Sequence, residues 1–251
     1  MSEGKKVEVQ IEIDADAATV WRALTEGEEL KRWFPLDARV RPGVGGGVWM
    51  SFGEGAEWES PIEVWEPNQR LGTADRMENA VIAVDYYLEA KGGTTIVRLV
   101  HSGFAADAWD DELDTLNAGW ATFLANLKHY LERHRGEPRE MAFFRHPAVK
   151  LSRPEAYAKL TEALGLEIQP DGRYTMSVDG ERLEGEVRVS KPPINFTGTV
   201  ENHNAGWVMI ELEPGREQTR PAIWLSLYGE ARHEAPVWRE KLQQILTRTF
   251  A

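Results

Sequence analysis

The sequence predicts an α+β protein: a curved antiparallel sheet wrapped on one long C-terminal helix, with a second, degenerate copy of the same plan. Three observations carry this. Residues 7 to 13 alternate strictly between apolar and polar, and a run of strand patterns with turn signals follows. Residues 108 to 134 then switch to a helical period. After residue 151 the same order begins again, with shared landmarks at shared spacing.

The first strand places Val7, Val9, Ile11 and Ile13 on one face and Glu8, Gln10 and Glu12 on the other. Asp16 is the expected cap of a helix with Val20, Trp21 and Leu24 on its apolar side. Thr25 and Glu28 have the spacing of a capping box for a second short helix, which carries Leu30, Trp33 and Phe34 and stops at Pro35. Gly43, Gly45, Gly46 and Gly47 fit neither phosphate-binding fingerprint and read as a hairpin turn between Val40 and Val48. Strands are expected at 57–65, 71–77, 81–89 and 94–101, the last two joined at Gly92-Gly93. In the long helix, Leu113, Leu116, Trp120, Phe123, Leu124, Leu127, Tyr130 and Leu131 fall at steps of three and four. Asp107 is its expected cap. Asp110, Asp111, Glu112 and Asp114 crowd its first turn, where the helix dipole favours negative charge. A single helix covers a curved sheet imperfectly, and the gap between them is where such a fold keeps a cavity.

These residues resemble a known family. Val20-Trp21-Arg22-Ala23-Leu24-Thr25, Leu30 and Trp33-Phe34 resemble the start of the activator-of-heat-shock-protein-ninety-ATPase homologue family. Ile62-Glu63-Val64, Glu66-Pro67 and Arg70-Leu71 fit its middle strand and turn. Thr95 and His101-Ser102-Gly103-Phe104 fit its last strand, and Gly119-Trp120 its final helix. The likeness covers roughly residues 5 to 135. It implies the helix-grip fold of the wider SRPBCC superfamily, shared with START lipid-transfer domains, the birch-pollen allergen type and polyketide cyclases. It also implies a stress-response setting. That superfamily hosts carriers, cyclases and partner-binding modules, so the fold constrains function weakly.

The expected organisation is a helix-grip domain at 1–135, a linker at 136–150 and a shortened helix-grip-like repeat at 151–251. Ser152 and Glu155, with Pro154 between them, mark a helix start. Leu24-Thr25-Glu26 matches Leu160-Thr161-Glu162, Gly72-Thr73 matches Gly198-Thr199, and Gly103 matches Gly229. Gly103 lies as far beyond Gly72 as Gly229 lies beyond Gly198. Trp120, Leu124 and Leu127 match Trp238, Leu242 and Ile245. The stretch from Leu160 to Gly198 is shorter than that from Leu24 to Gly72, so the repeat is expected to lack a hairpin and to have less room for a cavity.

Bulk properties narrow the chemistry. The 251 residues carry 29 basic and 41 acidic side chains, a net charge of -12, which repels nucleic acid and anionic membranes. There is no cysteine, so disulfides, thiolate catalysis and Cys-ligated zinc are excluded. No apolar leader opens the chain and no window reaches the roughly 18 apolar residues of a membrane span. The expected location is cytoplasmic. His101, His129, His134, His146, His203 and His233 include no i, i+4 pair, and His129 and His134 are expected to diverge around their helix. No metal site, cofactor or catalytic residue is expected, and there is no nucleophile elbow. Asn195-Phe196-Thr197 matches a glycosylation sequon, read as idle.

The leading expectation is a small hydrophobic or amphipathic ligand held between sheet and helix of the first domain. Its expected lining is Trp33, Phe34, Trp49, Trp58, Ile62, Tyr86, Leu99, His101, Leu116, Trp120 and Phe123. His101 shares strand parity with Val97 and Leu99, and Tyr86 with Val84 and Leu88, so each could offer a polar group inside; core roles are the ordinary alternative. A co-chaperone-like or other protein-partner module is a second reading. The activator that names the family carries a separate domain ahead of this one, whereas here the pattern begins at about residue 5. A cyclase- or hydrolase-like enzyme using His101 is a third.

Overall fold

The computed structural model describes residues 5–53, 55–76, 80–104, 110–214 and 218–251, with the side chains of 110–112 outside the description. The chain divides into two units, Met1–Gly136 and Glu137–Ala251.

In the first unit the alternating segment becomes β1 (Lys5–Ile13). Asp16 caps α1 (Ala17–Thr25), accepting from the Thr19 backbone N–H at 2.7 Å. A one-turn helix follows, α2 (Gly27–Leu30). The expected capping box at Thr25 does not form. Thr25 is the last residue of α1, and its hydroxyl donates back to the Trp21 carbonyl at 2.7 Å, so it cannot turn forward to cap α2. Six strands come next: β2 (Asp37–Arg41), β3 (Gly47–Ser51), β4 (Glu57–Glu66), β5 (Arg70–Arg76), β6 (Val81–Lys91) and β7 (Thr94–Phe104). The glycine run is the β2–β3 turn, as expected, with Gly43 and Gly45 in the left-handed region. The sheet order is β1-β7-β6-β5-β4-β3-β2, antiparallel throughout. Then α3 (Asp110–Arg133) runs beside β1 and buries Leu124, Leu127, Tyr130 and Leu131. Its expected cap, Asp107, lies outside the described residues.

The second unit repeats this order. Its elements are β8 (Arg139–Arg145), α4 (Arg153–Ala163), β9 (Glu167–Ile168), β10 (Arg173–Val178), β11 (Glu181–Lys191), β12 (Asn195–Val200), β13 (Gly206–Pro214) and β14 (Thr219–Tyr228). A short 3₁₀ turn (Gly229–Glu234) leads into α5 (Ala235–Phe250). The sheet order, β8-β14-β13-β12-β11-β10-β9, is that of the first unit strand for strand. Ser152 forms the predicted capping box with Glu155 at the start of α4. This plan, a curved antiparallel sheet gripping a closing helix, is the helix-grip fold, present twice.

Two expectations need correction. Residues 136–150 are not simply a linker: Met141 to Phe144, apolar with alternate residues on opposite faces, form β8, and β8 pairs with β14. The repeat has not lost a hairpin either. It keeps seven strands, and its economy comes from a two-residue β9 and from one helix where the first unit has two.

The equal spacing of the glycines also hides a slip. Gly103 and Gly229 both sit in the left-handed region at the end of the seventh strand, which makes them true equivalents. Four residues before them lie Leu99 and Leu225. Leu99 pairs with Tyr86 and Tyr86 with Leu71. Leu225 pairs with Val208 and Val208 with Gly198. Gly198 therefore stands where the first unit has Leu71, not Gly72. A one-residue difference reverses the face of a strand. The ring of Tyr174 lies over Gly198, where a Cβ would come within 2.5 Å of it, and its hydroxyl donates to the Thr199 carbonyl at 2.6 Å. Tyr174, Phe196, Leu160, Leu183, Leu225 and Leu242 fill the space between this sheet and α5.

Candidate functional site

The concave face of the first sheet is a set of inward-pointing rungs. Leu71, Tyr86 and Leu99 form one; Thr73, Val84 and His101 form the next; Asp75 and Ile82 form a third. Strand pleating puts all of them on the same side, toward α3. These rungs border a cavity of about 280 Å³ that Trp120 of α3 also lines. Its walls are chiefly apolar: Leu24, Leu30 and Phe34 from the helical segment, Val48 and Met50 from β3, and Trp120 from α3. Trp58 sits at the rim, 44% exposed and stacked on Phe52 at 5.4 Å between ring centroids. Phe52 in turn meets Phe34 edge-on at 5.3 Å.

Few polar groups enter this space. Trp120 Nε1 donates to His101 Nδ1 at 2.9 Å, which leaves the imidazole proton on Nε2. Burial holds the His101 imidazole below its ordinary pKa, so it is a neutral group. Its ring is edge-on to both Trp120 and Phe104. Tyr86 is buried, and burial pushes its phenol above the ordinary range. Its hydroxyl has no hydrogen-bond partner among the described residues. Asp75 Oδ2 accepts from Ser60 Oγ at 2.8 Å, and no cation pairs with it among the described residues.

Of the eleven residues expected to line the cavity, Phe34, Trp58, Tyr86, His101 and Trp120 do so. The other six do not border it. Trp33 is 1% exposed and its indole donates to the Ala23 carbonyl at 2.9 Å, so it anchors α1 to the turn after α2. Trp49 points the other way: Val48 and Met50 face inward, and Arg39 lies over the Trp49 ring at 4.6 Å. Ile62 and Leu99 are fully packed core residues. Phe123 backs the wall through Phe34 at 4.5 Å. Leu116, one turn before Trp120 on α3, is half-buried and does not reach the cavity wall. The wall also holds residues outside the expected set: the apolar Leu24, Leu30, Val48, Met50, Leu71, Ile82 and Val84, and the polar Ser60, Thr73 and Asp75. Alternation counted from Leu71 along the same strand identifies Thr73 and Asp75.

The histidine geometry differs from expectation in one place. The His129 and His134 rings are 5.2 Å apart; His134 directly follows the last residue of α3, and its N–H still donates to the Tyr130 carbonyl at 2.8 Å. Among the described residues no group of three His, Cys, Asp or Glu side chains is placed to hold a metal ion. Among them, too, no helix is long and apolar enough to cross a membrane.

Comparison with known proteins follows the same outline. Residues 14–132 match the family described as activator of Hsp90 ATPase homolog 1-like protein. The match spans just under half of the chain. Similar solved structures include the Aha1 dimer from Colwellia psychrerythraea, 26% identical, covering 53% of this chain and 99% of its own, with a TM-score of 0.46. DynU16, a putative protein in the dynemicin biosynthetic locus, is 20% identical and covers 98% of this chain and 95% of its own at a TM-score of 0.46. The di-domain ARO/CYC BexL from the BE-7585A biosynthetic pathway is 16% identical and covers 98% and 96% at the same score. No curated protein matches the chain in sequence.

Proposed function

We propose that the first unit binds a small hydrophobic or amphipathic molecule in the cavity between its sheet and α3. The observation that carries this reading is a space of about 280 Å³ with chiefly apolar walls, onto which Tyr86, His101 and Asp75 bring a few polar groups. That mixture, mostly apolar with a few polar groups to fix orientation, is what a small-molecule pocket needs. The volume is at the small end for ligand pockets and suits a compact ring system rather than a long acyl chain. The second unit supports the contrast: at the positions of Tyr86 and His101 it has Val208 and Leu227, and its interior is filled.

An acid–base role for His101 draws less support. Its one hydrogen bond among the described residues goes to Trp120, so no carboxylate orients it for proton transfer.

The test is extraction of the purified full chain under denaturing conditions, with mass spectrometry of what is released, alongside Val84→Trp, which fills the cavity. A stoichiometric small molecule carried by the wild type and lost from a folded Val84→Trp supports the reading. The same molecule on both proteins refutes the site.

A further inference from the structure

We infer that the cavity selects an organic cation: a compact, ring-bearing amine whose ammonium group is held by Asp75 and by the faces of the surrounding aromatic rings. This rests on the ligand-binding reading above and adds the charge of the ligand.

Asp75 is the only charged side chain among the described residues that line the cavity. Three other carboxylates of these strands have cations beside them instead: Asp85 with Arg70 at 2.8 Å, Glu59 with Arg41 at 2.7 Å and Glu63 with Arg76 at 3.1 Å. Asp75 alone faces inward, and Ser60 supplies its one hydrogen bond. An ionised carboxylate accepts at two oxygens, so Oδ1 and the open lone pairs of Oδ2 remain for a donor. Among the described residues no Lys or Arg lines the cavity. His101 offers a neutral ring.

The rest of the wall complements the same ligand. Phe34, Trp58, Tyr86 and Trp120 surround the space. Aromatic faces carry the negative end of the ring quadrupole, and cages of such rings recognise ammonium groups. The Tyr86 hydroxyl oxygen is a further acceptor. The chain's net charge of -12 adds a field that draws cations and repels carboxylates. A neutral apolar ligand would take water from the half-buried Asp75 carboxylate and return no counter-charge, which is unfavourable. An anionic ligand would be worse.

The experiment compares three probes of one shape on the full chain by calorimetric titration at neutral pH: 1-naphthylmethylamine, 1-naphthalenemethanol and 1-naphthoate. The wild type is expected to bind the amine at least about tenfold more tightly than the alcohol, the gain of a charge-assisted hydrogen bond, with the naphthoate weakest. Asp75→Asn keeps an acceptor for Ser60 and should bring amine and alcohol to within about threefold of each other. Added salt should weaken the amine and leave the alcohol unchanged in the wild type, a readout that holds even if Asp75→Asn folds poorly. Tighter binding of the alcohol or the naphthoate by the wild type overturns the inference, and so does an amine preference that survives Asp75→Asn. Either result leaves the cavity itself in place as a binding site. Binding of none of the three, in wild type and Val84→Trp alike, removes the cavity reading and this inference with it.

Discussion

The Trp120–His101 hydrogen bond ties the closing helix to the last strand at the cavity wall, and its strength can be measured directly. Trp120→Phe removes the donor but keeps a ring against Phe34, Phe123 and Tyr86. The lost bond is worth about 1 kcal/mol, and the smaller ring gives up about 1–2 kcal/mol of apolar contact. The expected total is about 2–3 kcal/mol. His101→Phe removes the acceptor and leaves the indole N–H beside an apolar edge, at about 1–2 kcal/mol. In the double variant neither group is left over, so its cost should fall short of the sum by about 1 kcal/mol. Urea unfolding followed by circular dichroism gives all four stabilities, with the unfolding of the two units separated if they melt apart. Nitrogen NMR of the His101 ring supplies an independent check: the wild type should show a single tautomer protonated at Nε2, and Trp120→Phe a mixture. If the two substitutions add within about 0.3 kcal/mol and the tautomer does not change, the bond is not made and the wall is held by packing alone.

Three further outcomes follow from the same structure. Because burial lowers the His101 pKa in the folded state, the unfolded chain binds its proton first as pH falls; stability contributed here is present above the ordinary histidine pKa and is lost as pH drops below about 6.5, at no more than about 1.4 kcal/mol per pH unit. His101→Gln should flatten that part of the stability profile in pH-stepped urea titrations. Gly103→Ala should cost well over 2 kcal/mol or prevent folding, since Gly103 has φ +100° and a Cβ there would come within 1.9 Å of the Val81 carbonyl oxygen; Gly45→Ala, at φ +82° in open space, should cost only about 1 kcal/mol by the same measurement. Ser152→Ala removes half of a capping box and should lower stability by about 1 kcal/mol, with protection from hydrogen exchange lost first in the opening turn of α4.

The architecture was readable because the periods are clean. Val7 to Ile13 alternates for its full length, and Leu113 to Leu131 holds one helical face, so strand and helix declare themselves locally. β8 was harder: Met141-Ala142-Phe143-Phe144 is apolar without alternation, because both faces of that strand are covered, and such a run gives no period. The seven-strand count of the repeat was obscured by β9, whose two residues are too few to show a pattern. For the cavity, residue type proved a poor guide and parity a good one. Trp33 and Trp49 drew attention as large aromatics, yet one is packed solid and the other faces out under Arg39. Thr73 and Asp75 drew none, although the alternation through Leu71 assigns them to the concave face. The slip between Gly72 and Gly198 was invisible in principle, because equal separations in sequence say nothing about which hairpin absorbed the difference.

In each sheet the opening strand pairs with the closing one. Val7 lies opposite His101, and Arg139 opposite Tyr228. During synthesis β1 must therefore wait, exposed, until nearly the whole unit has been made, and this non-local pairing favours slow folding. The cavity is completed later still, since one wall is Trp120 on the helix that follows. A ligand then has nothing to grip in the early intermediates and cannot guide them. It acts only as a brake on reopening, and its presence should register in the unfolding rate while the folding rate stays as it was.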